Sequence, residues 1–78
     1  MATIIRRARF RVMIFTNDHG PPHVHAFKAG TEAVIELSPI AIRDSYRVSR
    51  VDVRGAVNLV AANREQLIQT WKEIHGPQ

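Results

Sequence analysis

The sequence predicts an α+β fold, in which a small antiparallel sheet of three to four strands is followed by two C-terminal helices packed on one face of the sheet. Apolar and polar residues alternate between residues 9 and 38, which is typical of half-buried strands. Beyond residue 49 the apolar residues recur every three or four positions, as in amphipathic helices. At 78 residues the chain is expected to form one domain, residues 1–78, around one compact core.

The first predicted strand is RFRVMIFT, residues 9–16. One side of it carries Phe10, Val12 and Ile14, and the other carries Arg9, Arg11 and Met13. A Gly-Pro-Pro turn then leads into the second predicted strand, HVHAFKAG, residues 23–30. Its alternation places His23, His25 and Phe27 on one side, and Val24, Ala26 and Lys28 on the other.

The third predicted strand is TEAVIELS, residues 31–38, with Ala33, Ile35 and Leu37 on one side. Only Ala29-Gly30 separates it from the second strand, so the two strands are expected to form a tight hairpin. Pro39 lacks the amide hydrogen that a central strand needs. The segment that follows, IAIRDSYR, is therefore either a short fourth strand or an irregular crossover.

The first predicted helix begins after Ser49, whose hydroxyl can accept a hydrogen bond from the amide of Asp52. Asn63 is predicted to cap a second helix, with Gln66 at the capping-box position, and Gly76-Pro77 is predicted to end it. The two apolar stripes consist of Val53, Ala56, Val57, Val60 and Ala61, and of Leu67, Ile68, Trp71 and Ile74. Their expected partners in the sheet are Phe10, Val12, Ile14, Ala33, Ile35 and Leu37.

The composition excludes several classes of protein. The chain has no cysteine, which rules out a disulfide framework and a thiolate metal cluster, and fits a reducing compartment. It has no run of about 18 apolar residues and no N-terminal apolar run of signal-peptide length. A Gly-rich phosphate loop, a nucleophile elbow and an H-E-x-x-H helix are also absent. A soluble cytoplasmic protein without a membrane span is expected.

The charge balance is basic, with eleven Lys and Arg against seven Asp and Glu and a formal net charge of +4. Such a balance favours anionic partners. One group of arginines consists of Arg6, Arg7, Arg9 and Arg11, and a second consists of Arg43, Arg47, Arg50 and Arg54. Either both groups are solvated surface or they line a phosphate backbone, and the second group is the predicted nucleic-acid surface. Only Tyr46 lies near that group, so contact with RNA or DNA would be mainly electrostatic.

The segment NDHGPPHVHA, residues 17–26, holds three of the four histidines and is the main candidate for a functional site. His23 and His25 project to the same face of an extended strand, and two imidazoles so placed can bind one zinc, nickel or iron ion. His19, across the turn, is the predicted third ligand. Asp18 is either a ligand or the acceptor that fixes a histidine tautomer. Such a site leaves a position for an activated water, suited to hydrolysis of a phosphodiester or a similar ester.

Two other interpretations of this segment stay open. Imidazole gains and loses a proton near neutral pH, so His23 could act with His25 or His19 as an acid and base without a metal. Asn-Asp-x-Gly-Pro is also ordinary turn chemistry, in which the histidines would only bond nearby carbonyls. An enzyme and a binding protein are both compatible with these residues. Asp18, His19, His23 and His25 are the candidate catalytic residues, and a divalent metal such as zinc is the candidate cofactor.

The same segment resembles a family of small bacterial proteins of unknown function. The family's box reads Asp-His-x-Pro-Pro-His-x-His, and it is matched here by Asp18, His19, Pro21, Pro22, His23 and His25. Leu67 and Trp71 match the Leu and Trp of the family's tail, so the resemblance spans about Phe10 to Trp71. Gly20 stands where the family often has Asn, and Val24 where it often has Phe. These two departures affect packing more than polar chemistry.

The resemblance implies no particular activity. Members of the family are often encoded beside another small protein, which implies a two-gene module of the toxin–antitoxin kind. On that interpretation the protein is a basic component that binds RNA, DNA or protein, and the product of the neighbouring gene is its partner.

Overall fold

A computed structural model of the protein describes residues 2–7 and 9–76. Five β-strands precede two α-helices in this part of the chain. The strands are β1 (Ala2–Arg7), β2 (Phe10–Ile14), β3 (His23–Lys28), β4 (Thr31–Leu37) and β5 (Ile40–Tyr46), and the helices are α1 (Arg50–Ala62) and α2 (Arg64–His75). The predicted α+β class and the two C-terminal helices are confirmed. The sheet has five strands, whereas three to four were expected.

The five strands form one antiparallel sheet in the order β1-β2-β3-β4-β5, so each strand pairs with its neighbours in the chain. β1 was not predicted because its sequence does not alternate between apolar and polar residues: two isoleucines are followed by two arginines. Its pairing with β2 is also irregular, with a register shift between Thr3 and Ile5. The segment after Pro39 forms β5, so the strand alternative is right. β5 lies at the sheet edge, where a nearby proline is tolerated.

The hairpin between β3 and β4 has the predicted two-residue loop. Lys28 pairs with Thr31, and Ala29 and Gly30 between them have φ values of 47° and 80°. Positive φ at both central residues is the geometry of a type I′ turn, which suits the twist of the two strands. Because this loop sets the register, Phe27 lies opposite Glu32.

The two faces of the sheet differ in character, since residues directly opposite each other across a strand pair share a face. The helix-facing side carries Phe10, Val12, Ile14, Val24, Ala26, Ala33, Ile35 and Leu37. The opposite side, which we call the open face, carries Arg11, Met13, His25, Phe27, Glu32 and Val34. The alternation predicted for the first three strands is confirmed.

The core forms where the two helices cover the helix-facing side of the sheet. Ala56 and Val60 of α1 and Leu67 and Trp71 of α2 belong to one buried cluster with the sheet residues. All six of the predicted sheet partners are in this cluster. Among the described residues, no helix combines the length and apolar character needed to cross a membrane.

The ends of the helices confirm one predicted cap and correct another. Ser49 Oγ accepts a hydrogen bond from the Asp52 amide at 3.1 Å, as predicted. Asn63 lies between the helices, but its side chain does not cap α2, because Nδ2 donates to the carbonyl of Leu59 at 2.8 Å. Its amide donates to α1 as well and is not available to Gln66. Asn63 therefore satisfies unpaired carbonyls at the end of α1, and the predicted capping box is wrong. α2 ends at His75 with Gly76 as its C-cap, and Pro77 lies outside the described residues.

Candidate metal centre

The turn between β2 and β3 brings the side chain of Asp18 back toward the sheet. The amide of Asp18 donates to the carbonyl of Phe15 at 3.1 Å. The amide of Phe15 donates in turn to Asp18 Oδ2 at 3.2 Å. This is the Asx-type chemistry expected of an Asn-Asp turn, and it holds the carboxylate near the end of β2.

Asp18, His23 and His25 each bring one potential ligand atom to within 4.8 Å of the other two. Asp18 Oδ2 lies 3.1 Å from His25 Nε2 and 3.4 Å from His23 Nε2. The side chains are largely enclosed, with exposed fractions of 16% for Asp18, 14% for His25 and 5% for His23. We call these three residues the Asp–His cluster.

Both histidines are oriented through their other ring nitrogen. His23 Nδ1 lies 3.0 Å from the carbonyl oxygen of Pro21, and His25 Nδ1 lies 2.8 Å from Glu32 Oε2. A backbone carbonyl only accepts hydrogen bonds, so Nδ1 carries the hydrogen in His23. Each ring nitrogen of His25 faces a carboxylate oxygen, and the shorter contact, to Glu32, favours the hydrogen on Nδ1 when the ring is neutral. When the rings are neutral, each Nε2 therefore directs a lone pair toward Asp18.

Glu32 is a residue of this site that the sequence analysis missed. It lies on β4 directly opposite Phe27, whereas His25 lies opposite Val34. The Glu32 carboxylate therefore contacts the His25 imidazole diagonally across the strand pair. The two-residue hairpin loop could have predicted this residue, because such a loop sets the register of the two strands and places Glu32 on the same face as His25. Only the conformation of the side chain was not predictable.

Aromatic rings enclose the cluster from two directions. The ring of Phe15 meets that of His25 edge-on, with 4.6 Å between centroids. The ring of His23 lies 5.2 Å from that of Trp71 in α2, so the helix covers the first residue of β3. His75 stacks on Trp71, and its Nε2 lies 3.1 Å from the carbonyl of Phe15. The end of α2 is thereby joined to the start of the turn that carries Asp18.

His19 lies in the same turn, is exposed to solvent, and is not one of the three grouped side chains. Its role as a metal ligand or catalytic residue stays a prediction. In the group of three side chains, Asp18 offers the third potential ligand atom, a role that was predicted for His19.

The structure does not bring the predicted nucleic-acid residues to one cavity. Arg43 donates to Glu36 at 2.9 Å, and Arg47 lies over the ring of Tyr46 at 5.4 Å. Arg50 and Arg54 belong to α1, where they flank a groove of about 400 Å³ lined by Val48, Val53 and Val57. Binding of RNA or DNA by this group stays a prediction.

Together, the fold and the cluster define a small α+β protein in which two histidines and one carboxylate converge beside an antiparallel sheet. The chain belongs to the family described as Domain of unknown function (DUF4160), whose model matches residues 10–72. That match agrees with the predicted membership of a family of unknown function, and it contains the whole Asp–His cluster. No curated protein and no solved structure shows significant similarity to the chain.

Proposed function

We propose that the Asp–His cluster binds one divalent transition-metal ion, such as zinc, through Asp18 Oδ2, His23 Nε2 and His25 Nε2. The supporting observation is the approach of both Nε2 atoms to the same carboxylate oxygen, at 3.1 and 3.4 Å. Ligands at about 2.1 Å from a tetrahedral ion lie about 3.4 Å apart, and neighbouring ligands of an octahedral ion lie about 3.0 Å apart. The two distances from Asp18 Oδ2 suit either geometry.

The electrostatics of the cluster also favour a cation. With both rings neutral, two lone pairs face the oxygen of an ionised carboxylate, and Glu32 adds a second negative charge beside His25. Lone pairs and carboxylates repel each other, and partial burial strengthens the repulsion. A positive ion among the three ligand atoms would turn this repulsion into attraction.

The donor set indicates which ions fit. Two imidazoles and one carboxylate suit zinc and iron, whereas magnesium and calcium prefer oxygen ligands. Three protein ligands leave a position for water, as in catalytic zinc sites. A water at that position would be a nucleophile near neutral pH, and hydrolysis of a phosphodiester or similar ester is the reaction class that we propose for it.

Metal-free proton transfer is the second candidate, and the surroundings of His25 favour it. Its Nδ1 and Nε2 face carboxylate oxygens at 2.8 and 3.1 Å, so an imidazolium would donate to both. In this alternative a proton occupies the place of the metal. Metal binding would then release a proton, and the metal affinity would fall as the pH falls.

Calorimetric titration tests the metal proposal. Protein purified without a His tag and stripped with a chelator should bind zinc at a ratio of about one to one. Asp18→Asn keeps the size of the side chain but removes the charge of the carboxylate ligand. His25→Gln keeps a side chain of similar length but removes the Nε2 ligand atom. Each substitution should weaken zinc binding by about tenfold or more. His19→Ala is the matched control, because His19 is exposed in the same turn.

Long-range ¹H–¹⁵N spectra of the histidines identify the ligand atoms. Zinc should shift the Nε2 resonances of His23 and His25 and leave their Nδ1 atoms protonated. Loss of affinity in His19→Ala would add that residue to the ligand set. The proposal fails if the stripped protein binds no zinc, or if binding persists when Asp18 and His25 are both replaced.

We further propose, from the resemblance, that the protein acts in the bacterial cytoplasm as one member of a two-gene, toxin–antitoxin-like module, whose other product is its partner. The exposed edge strand β5 supports a protein partner, because an open edge can pair with another chain. Ile42 and Tyr46 on this strand are 40% and 58% exposed. Co-purification with the neighbouring gene's product should occur, and Ile42→Pro should abolish it. Unchanged capture by that variant would contradict pairing through β5.

A further inference from the structure

A cleft of about 430 Å³ lies where the β1–β2 hairpin meets the end of β3. Its walls include Arg6, Arg7, Arg9, Arg11, Phe27 and Lys28, and we call it the arginine cleft. The volume is typical of a site for a small ligand or one nucleotide. The cleft brings together the first arginine group of the sequence, which becomes a site only because β1 folds back along β2.

The arrangement of these arginines costs stability. Arg6 lies directly opposite Arg11 in the β1–β2 pair, so two positive side chains share one face of the sheet. Like charges in such positions repel each other. Arg9 has a φ of 68°, in the left-handed region that residues with a side chain seldom occupy. Unfavourable features gathered at one cleft are typical of a binding site.

The positive charge of the cleft is not neutralised from within the described part of the chain. None of the four arginines there lies within ion-pair distance of a carboxylate of a described residue. By contrast, Lys28 is paired with Asp52 at 2.7 Å, and Arg43 outside the cleft is paired with Glu36. The guanidinium groups of the cleft are thus free to receive anions, and phosphate suits their planar donors.

Phe27 adds an aromatic surface to this positive site. It lies opposite Arg11 on the open face, with the Arg11 guanidinium carbon 6.0 Å from its ring centroid, and it is half-buried. Arg6, Arg11 and Phe27 therefore form one row across three neighbouring strands. A sheet face on which an aromatic ring adjoins cationic side chains can stack a base while it binds the phosphates.

We propose that the arginine cleft binds single-stranded nucleic acid, with Arg6 and Arg11 on the phosphate backbone and Phe27 against a base. Mononucleotides and inorganic phosphate offer the same phosphate chemistry, but the row of side chains extends across three strands and is longer than one phosphate needs. This proposal does not depend on a metal in the Asp–His cluster.

Fluorescence anisotropy with a labelled single-stranded RNA of about 12 nucleotides, at salt concentrations from about 50 to 300 mM, tests it. The double variant Arg6→Ala, Arg11→Ala should bind about tenfold or more weakly, and its log–log salt slope should fall by about 1.4, or about 0.7 for each lost phosphate contact. Its melting temperature should stay level or rise, because a repulsive pair is removed. Phe27→Leu should weaken binding about fivefold or more without changing the slope.

The matched control is Lys72→Glu, which lowers the net charge by the same two units at an exposed position of α2, outside both arginine groups. It should leave the affinity within about threefold of the unaltered protein, since general steering alone is affected. Equal losses in the double variant and in this control would mean that net charge alone drives binding, and would overturn the proposal. Absence of binding at low salt would overturn it as well. The proposal would also be overturned if a mononucleotide competed for the cleft as tightly as the RNA strand.

Discussion

Replacement of Gly55 by alanine should stabilise the protein by about 1 kcal/mol. Gly55 lies inside α1, where glycine costs about 0.8–1.0 kcal/mol relative to alanine because its backbone loses more freedom on folding. A Cβ built there would lie 3.5 Å from Phe10 Cε2 and 4.0 Å from Cζ, which is ordinary van der Waals contact. The added methyl therefore gains helix propensity without forcing the Phe10 ring to move.

Urea unfolding followed by the fluorescence of Trp71 measures the change, since this tryptophan is the only one and is fully buried. The free energy of unfolding should rise by about 1 kcal/mol with an unchanged m-value. For a domain of this size, the melting temperature should then rise by about 4–8 °C.

Gly30→Ala is the matched control for this prediction. Nothing lies within 4 Å of a Cβ built on Gly30, but its φ of +80° is in the left-handed region. Alanine there should cost about 1 kcal/mol despite the open space. An unchanged or lower stability of Gly55→Ala, or a change of the same sign in both variants, would refute the reasoning that backbone conformation decides these two substitutions.

Three further predictions concern stability and metal binding. Ser49→Ala should lower the free energy of unfolding by about 1 kcal/mol in urea, because the amide of Asp52 loses its cap; no change would mean that this cap contributes nothing. Ile35→Ala should cost about 2–5 kcal/mol, since Ile35 is fully buried between sheet and helices, and a loss below 1 kcal/mol would show a core that collapses around the gap. Zinc at about one hundred times its dissociation constant should stabilise the stripped protein by about 2.7 kcal/mol, or about 10–20 °C in melting temperature. Asp18→Asn should not show this rise, and a rise in both proteins would argue against the Asp–His cluster as the site.

The sequence determined those features that depend on local pattern. Phe10, Val12 and Ile14 face the helices because side chains alternate along any strand. The Ala29-Gly30 loop and the Ser49 cap join residues only two or three positions apart, so both were predictable from the spacing and type of neighbouring residues. The histidine segment was identified as the candidate site for the same reason, since His23 and His25 share a face by alternation.

Two errors show where local pattern stops. β1 does not alternate, and its pairing with β2 defines it as a strand, so the opposition of Arg6 and Arg11 was not predictable. Asn63 has the residue type of an N-cap, but the end of α1 lies immediately before it and its unpaired carbonyls take the side-chain donor. In both places a neighbouring element, and not the local sequence, decided the structure.

The tertiary structure alone decided the composition of the two candidate sites. Asp18 meets both histidines because the path of the turn returns its carboxylate to β3, and Glu32 meets His25 because β4 is paired in one register. The arginine cleft exists because three strands lie side by side. Such contacts depend on distances between chain segments, which residue type and spacing do not contain. The sequence predicted which side chains could do chemistry, and the fold decided which of them meet.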